Sequence, residues 1–396
     1  MFSVFPIEGG VVAPDGFYCD GVSAGLKKDD ELDVAFIYAD SLCEVEGVFT
    51  QNKFCAAPIL HFQGYPRDFK TNFLLVNSKN ANALTGDEGV ENVEIVLKEL
   101  QERFSEIQNP IMSSTGVIGV PLPKEKIIAS FKKFDLNQKN QKNASEAILT
   151  TDKFSKTIAF EVVLENKKSF KIGAMCKGAG MINPSLATML CFITTDAKIP
   201  KRDMQELLLS KVDLTFNAIS VDGDTSTNDT VLLLSNGKSG VYDKEAFTFA
   251  LEKVMHKLAM DVVRDGEGAT KLVAFEITGA KNKEEAQKAA KALSQSLLIK
   301  TALFGCDPNW GRIASTIGAS GIFCDPKKLE IYFGDVCVYQ KGTIYFDDKN
   351  EQKAAEVLKQ DSFKITCHLG IADGVFIAYG CDLGYEYVKI NADYRT

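Results

Sequence analysis

The sequence predicts an α/β fold built as α+β layers, on two observations. Short apolar runs bounded by polar residues recur along the whole chain, and segments of helical periodicity alternate with them rather than gathering at one end. At 396 residues, with 45% hydrophobic and 25% charged composition, the chain has enough apolar material for a large core and predicts two structural domains. The runs that read as strands are, in order, 34–39, 73–77, 158–164, 170–175, 189–194, 230–234, 272–278, 329–333, 363–368 and 375–379. Between them Val93, Val96, Leu97, Leu100 and Phe104 fall on one helical face, as do Phe247, Leu251, Val254 and Leu258. Further helices are predicted over 203–212, 283–297 and 352–358. The polar stretch 137–143 lacks apolar periodicity and reads as an exposed loop or the end of a helix.

Composition removes several function classes. A net charge of -8 and an isoelectric point near 5.2 argue against a nucleic-acid surface, which needs a basic stripe, and favour small-molecule chemistry. Residues 1–14 carry no basic n-region, and no apolar run approaches the roughly 18 residues of a membrane span. A soluble cytoplasmic protein without membrane contact is expected. The ten cysteines are scattered, with no Cys-x-x-Cys pair, and read as free thiols of a reducing cytosol. Of three histidines, His61, His256 and His368, none lies in a motif described below, which speaks against Ser-His, Cys-His or zinc chemistry. No metal and no cofactor are expected. His256 falls on a predicted helix and His368 in a predicted strand, where structural roles are expected.

The segment Lys177-Gly-Ala-Gly-Met-Ile-Asn-Pro-Ser-Leu-Ala-Thr188-Met-Leu-Cys-Phe-Ile-Thr-Thr-Asp196-Ala sets a threonine between a glycine-rich loop and an apolar run. Thr188 on its own reads as the first residue of a core strand, since β-branched residues favour strands. It is also well placed as a nucleophile. A cut between Ala187 and Thr188 would leave an α-amine beside the Thr188 hydroxyl, able to take its proton, with an unperturbed pKa of roughly 7.7 to 8.0. Before the cut that nitrogen is a non-basic amide, so the chemistry requires self-processing.

Lys-Gly-x-Gly-Met-Ile-x-Pro, then Ala-Thr-Met-Leu and Phe-Ile-Thr-Thr-Asp-Ala, resembles the self-cleavage segment of the ornithine acetyltransferases, also called glutamate N-acetyltransferases or the ArgJ family. Asn77-Ser-Lys-Asn-Ala-Asn82, Ser113-Ser-Thr-Gly-Val-Ile-Gly119, Asp265-Gly-Glu-Gly-Ala-Thr-Lys271, Asp307-Pro-Asn-Trp-Gly-Arg312 and Asn391-Ala-Asp-Tyr-Arg-Thr396 resemble further family segments, in family order. Asn183 stands where many members carry histidine. The resemblance implies a DmpA/ArgJ-like fold and a self-cleaved enzyme with an N-terminal threonine nucleophile. Residues 1–187 would form an α chain and 188–396 a β chain, with the site at their junction. Thr188 would be both cleavage point and acyl carrier. Thr115 and Gly116 would be the oxyanion donors, and Thr151, Lys177, Glu267, Asn391 and Thr396, with Thr188, would contact substrate. The activity implied is acetyl transfer from N-acetyl-ornithine to glutamate in arginine biosynthesis, with acetyl-CoA as a second donor in bifunctional members. Two α and two β chains would assemble as a heterotetramer.

Without the resemblance, several of these segments read otherwise. Ser-Ser-Thr-Gly is an ordinary turn, although a threonine hydroxyl beside a glycine N–H can place two donors at a tetrahedral oxyanion. Neither 266–271 nor 178–183 completes a phosphate-loop or dinucleotide fingerprint. Residues 221–229 lack EF-hand spacing and read as a structured polar turn. The 307–312 segment reads as a corner supporting the site, with Arg312 paired to a buried carboxylate. Two rivals remain: an N-terminal-nucleophile aminopeptidase or amidohydrolase, in which water resolves the acyl-threonine, and a non-catalytic assembly protein that neither cuts itself nor carries acetyl.

Overall fold

The computed structural model describes residues 1–183 and 189–393. The chain runs β1 (Phe2–Ile7), β2 (Phe17–Val22), β3 (Val34–Phe49), α1 (Ala57–Gln63), β4 (Lys70–Asn77), α2 (Gly86–Arg103), β5 (Ile111–Ser114), α3 (Lys124–Ser130) and α4 (Gln141–Ala147). It continues through β6 (Lys156–Leu164), β7 (Ser169–Lys177), β8 (Leu190–Thr195), α5 (Lys201–Leu214), β9 (Ile219–Ser220), β10 (Thr230–Ser235), α6 (Lys244–Arg264) and β11 (Leu272–Ala280). The last part is α7 (Lys283–Gln295), α8 (Leu297–Phe304), α9 (Trp310–Ala319), β12 (Glu330–Phe333), β13 (Val336–Gln340), β14 (Thr343–Ile344), α10 (Asp348–Leu358), β15 (Ser362–His368), β16 (Gly374–Cys381) and α11 (Tyr385–Asp393).

Among the described residues these strands form two sheets, as the mixed layers predicted. The first has the order β1-β6-β7-β8-β10-β3-β4-β5, with β2 also on β3. β3 joins its two halves: Val34–Tyr38 pair with β4, the register shifts before Cys43, and Glu44–Phe49 pair with β10. Alternate side chains then enter different cores. Leu190, Phe192, Leu232 and Leu234 meet Ala35, Ile37, Leu74 and Val76 in an inner layer between the halves. Cys191, Ile193, Val231 and Leu233 point the other way, onto α5 and α6, while Val34, Phe36, Phe73 and Leu75 pack on α2 and α3. Strands buried on both faces need apolar residues at every position, which is why β4, β8 and β10 read as continuous apolar runs. Removing a ring such as Phe192 from the inner layer would cost about 3–5 kcal/mol.

The second sheet has the order β14-β13-β12-β15-β11-β16-β9, and α7, α8, α9 and α10 supply helical residues to its separate core. β9 pairs in parallel with β16 and leads straight into the polar turn after Ser220, so this sheet anchors one wall of the cavity described below. Two readings change here. The single helix predicted over 283–297 is two, because Ser296 leaves helical geometry and its Oγ accepts the Ile299 N–H at 3.4 Å, capping α8. Asn309 likewise caps α9, so 307–312 is a helix start. Trp310 stacks on Tyr339 within the second core, away from the cavity, and Arg312 donates to the Leu298 carbonyl at 2.6 Å rather than to a carboxylate.

β7 lies before residues 184–188 and β8 after them, yet they are adjacent antiparallel strands, with Lys177 opposite Leu190. The segment that the sequence marks for cleavage therefore joins two strands of one core.

Candidate active site

A polar cavity of about 240 Å³ opens at the junction of β7 and β8. Seven described parts of the chain reach it: the turn after β5, the segment before β6, the end of β7 with its glycine loop, the start of β8, the turn before β10, the turn before β11, and α11. Thr115, Gly116, Thr151, Lys177, Glu267 and Asn391 all line it. The structure thus gathers residues up to 276 positions apart. Thr188, Ala187 and Thr396 lie outside the described residues.

Thr115 and Gly116 are held by the asparagine-rich segment 77–82. Asn77 receives the Ser114 hydroxyl at 2.6 Å on its side chain and the Thr115 N–H at 3.0 Å on its carbonyl, and Lys79 accepts the Val117 N–H at 3.1 Å. Gly116 has φ 133, and a Cβ there would stand 2.2 Å from the Lys79 carbonyl carbon, so this position requires glycine. Asn228 adds a brace from the opposite wall. Its Nδ2 donates to the Ala81 carbonyl at 2.6 Å and to that of Ser114 at 2.8 Å.

Lys177 is 8% exposed. Its Nζ donates to Thr150 Oγ1 at 2.7 Å and reaches Thr115 Oγ1 at 3.5 Å, with Asp152 at 3.8 Å. Asp152 is wholly buried and also accepts from Lys156 Nζ at 2.8 Å and from the Gly178 N–H at 2.6 Å. Burial alone would raise its pKa, but the Lys177 and Lys156 charges and those hydrogen bonds outweigh it and hold the carboxyl well below its usual range. Lys156 bridges on to Asp265 at 2.5 Å, so two lysines and two aspartates fix one another beneath the cavity. This arrangement keeps one ammonium at the rim with its charge directed by geometry.

Glu267 approaches the glycine loop closely. Its N–H donates to the Ala179 carbonyl at 2.9 Å, and a Cβ on Gly180 would lie 2.4 Å from its Oε1. Asn391 on α11 donates to Glu267 Oε2 at 2.7 Å, drawing the C-terminal helix over the cavity. Asp222 receives the N–H groups of Met181 at 2.6 Å and Ile182 at 2.9 Å, which sets the path of the loop toward residue 184. Asn183 is tied to Gly223 and Gln295.

Sequence reasoning missed Asp222, Asn228 and Asp229. The dense run Asp222-Gly-Asp-Thr-Ser-Thr-Asn-Asp229 was their available signal, and it reads as a turn until its partners are known. His256 packs edge-on against Tyr379 and His368 pairs with Thr278 at 2.9 Å, both away from the cavity. All ten cysteines are free. Among the described residues no helix is long and apolar enough to cross a membrane.

The cavity combines a fixed cation, carboxylates and a hydroxyl beside a glycine, a set suited to holding an amino acid while an oxyanion forms. Comparison with known proteins agrees in family. The arginine biosynthesis bifunctional protein ArgJ of Wolinella succinogenes is 63% identical over 396 residues, covering 100% of both chains. The glutamate N-acetyltransferase of Methanococcus maripaludis is 42% identical over 413 aligned residues, covering 98% of each. A crystal structure of the arginine biosynthesis bifunctional protein argJ from Bacillus halodurans aligns with TM-score 0.49 at 42% identity, covering 51% of this chain and 98% of that one. The model of the ArgJ family matches residues 18–396, and the chain belongs to that family.

Proposed function

We propose that this chain is an acetyltransferase that moves acetyl from N-acetyl-L-ornithine to L-glutamate in arginine biosynthesis, through an acetyl ester on Thr188. The observation that carries the reading is the meeting of Thr115, Gly116, Lys177 and Glu267 in one cavity, in a chain with full-length relatives named for arginine biosynthesis and glutamate N-acetylation. Those names favour transfer over the hydrolase reading.

In this reading the Thr188 hydroxyl first attacks the Ala187 carbonyl, and water opens the resulting ester. An α chain of residues 1–187 and a β chain of 188–396 result, and the pairing of β7 with β8 supports their staying together. The freed α-amine then takes the Thr188 proton as the oxygen attacks the acetyl carbonyl, with the Thr115 hydroxyl and Gly116 N–H at the developing oxyanion. Ornithine leaves, and glutamate takes the acetyl group. Lys177 anchors a substrate carboxylate. Glu267 holds an amine with Asn391 beside it, and Thr151 and Thr396 complete the binding set. No cofactor takes part. Acetyl-CoA as a second acetyl donor to glutamate belongs to the same reading. A cytoplasmic heterotetramer of two α and two β chains completes the proposal.

Product analysis tests it. Protein incubated with N-acetyl-ornithine should form acetyl-glutamate only when glutamate is added, whereas free acetate released at the same rate with or without glutamate would make it a hydrolase.

A further inference from the structure

Asp229 stands immediately before β10 and is 2% exposed, and its Oδ2 has no hydrogen-bond partner among the described residues. A buried acceptor is costly to leave open, so an open one in a cavity wall suits a donor that a ligand brings. Asp229 lines the same cavity as Thr115 and Lys177. Its backbone cannot shift easily: its carbonyl accepts the Thr50 N–H at 2.9 Å, and the next residue, Thr230, donates to the Met189 carbonyl at 2.8 Å. The preceding residue, Asn228, is the one that clamps Ser114, next to Thr115. The open oxygen is therefore built into the end of the cavity where the acyl group would be handled.

The groups that act on Asp229 are few. Burial pushes its carboxyl well above the usual range, and the Ser226 hydroxyl and N–H, the Lys177 charge and the Thr50 hydroxyl oppose this without overcoming it. The chemistry supplies a matching need. An amide nitrogen that leaves as an ammonium gains two protons, one from the threonine hydroxyl and one from elsewhere. An ammonium that becomes an amide loses two, one to the threonine oxygen and one to elsewhere.

We propose that Asp229 binds the reacting amine of the amino-acid substrate and stores that second proton between the two halves of the reaction. The inference rests on the acetyl-threonine mechanism above. In the first half, the C–N bond of N-acetyl-ornithine breaks as the Thr188 ester forms. The nitrogen takes the hydroxyl proton and the Asp229 proton, and ornithine leaves as its ammonium. In the second half, the glutamate ammonium returns one proton to the Asp229 carboxylate, its nitrogen bonds to the acetyl carbon, and the ester C–O bond breaks as Thr188 regains the other proton. The cycle closes with no proton exchanged with solvent.

Wild-type protein mixed with N-acetyl-ornithine in weak buffer with a pH indicator, acetyl-enzyme being followed in parallel, should take up no proton as the ester forms. Uptake of one proton per acetyl group would overturn the proposal, while failure to form any acetyl-enzyme would instead remove the mechanism it rests on. Asp229→Asn, which keeps the shape, should slow removal of acetyl by glutamate by on the order of 10²-fold and spare removal by hydroxylamine, an uncharged nucleophile with no second proton to lose. Equal slowing of both, or of neither, would also overturn it. If the variant fails to fold, the wild-type proton measurement decides.

Discussion

Asn228 Nδ2 lies 2.8 Å from the Ser114 carbonyl oxygen, joining the turn before β10 to the end of the strand that precedes Thr115. The same nitrogen holds Ala81 at 2.6 Å, so one side chain spans the two segments that shape the oxyanion end of the cavity. Replacing it by alanine leaves two buried carbonyls short of a donor. Asn228→Ala should lower kcat by roughly 10- to 100-fold through misplacement of Thr115, less than direct loss of a donor. Steady-state kinetics together with a thermal melt check this; a lower melting temperature with unchanged kcat would limit the clamp to stability.

Thr115→Val keeps the side-chain shape and removes the hydroxyl. Loss of one oxyanion donor predicts a fall in kcat of roughly 10² to 10³ with a smaller change in KM. A change confined to KM would make Thr115 a binding residue instead.

Gly180→Ala puts a methyl group 2.4 Å from Glu267 Oε1, and that carboxylate is held by Asn391. The expected outcome is a raised KM for the amino-acid substrates with the fold intact, measured by kinetics beside circular dichroism. Unchanged KM would mean that the loop yields and that Glu267 does not contact substrate.

Lys291 supplies a pH test remote from the chemistry. Its Nζ donates to the Ile219 carbonyl at 2.7 Å, and burial pushes its pKa down to about 7. The unfolded chain keeps that proton to about 10.4. Between these values the unfolded state binds more protons, so stability should rise with pH across that window. Below about pH 7 both states are protonated and the group adds no slope. Denaturant melts across the window should show this rising component in the wild type and not in Lys291→Met. An equal slope in both proteins would contradict it.

Much of the fold was legible because its central strands are buried on both faces. All ten predicted strands appear, and the run read as 189–194 is β8, one residue later. The missed strands lack that pattern. β1 is an edge strand with mixed exposure and Pro6 inside it, and β5 has four residues. α11 buries no residue, so no apolar face announced it. At the site, Thr115, Gly116, Lys177 and Glu267 were legible through family motifs rather than through their own chemistry. Asn228 was not, because its role arises from partners far along the chain. Asn228 becomes a clamp only when the turn before β10 is brought against the end of β5, with Ser114 lying 114 residues away.

The central claim is that one threonine hydroxyl serves two acyl transfers, and mass spectrometry of the purified protein mixed with N-acetyl-ornithine tests it most directly. The account predicts two fragments, of 187 and 209 residues, the second carrying one acetyl group on Thr188 that added glutamate removes. Thr188→Ala run beside it should stay a single uncut, inactive chain. A wild-type chain that turns over fully while uncut, or acetyl found on a different residue, would contradict the account.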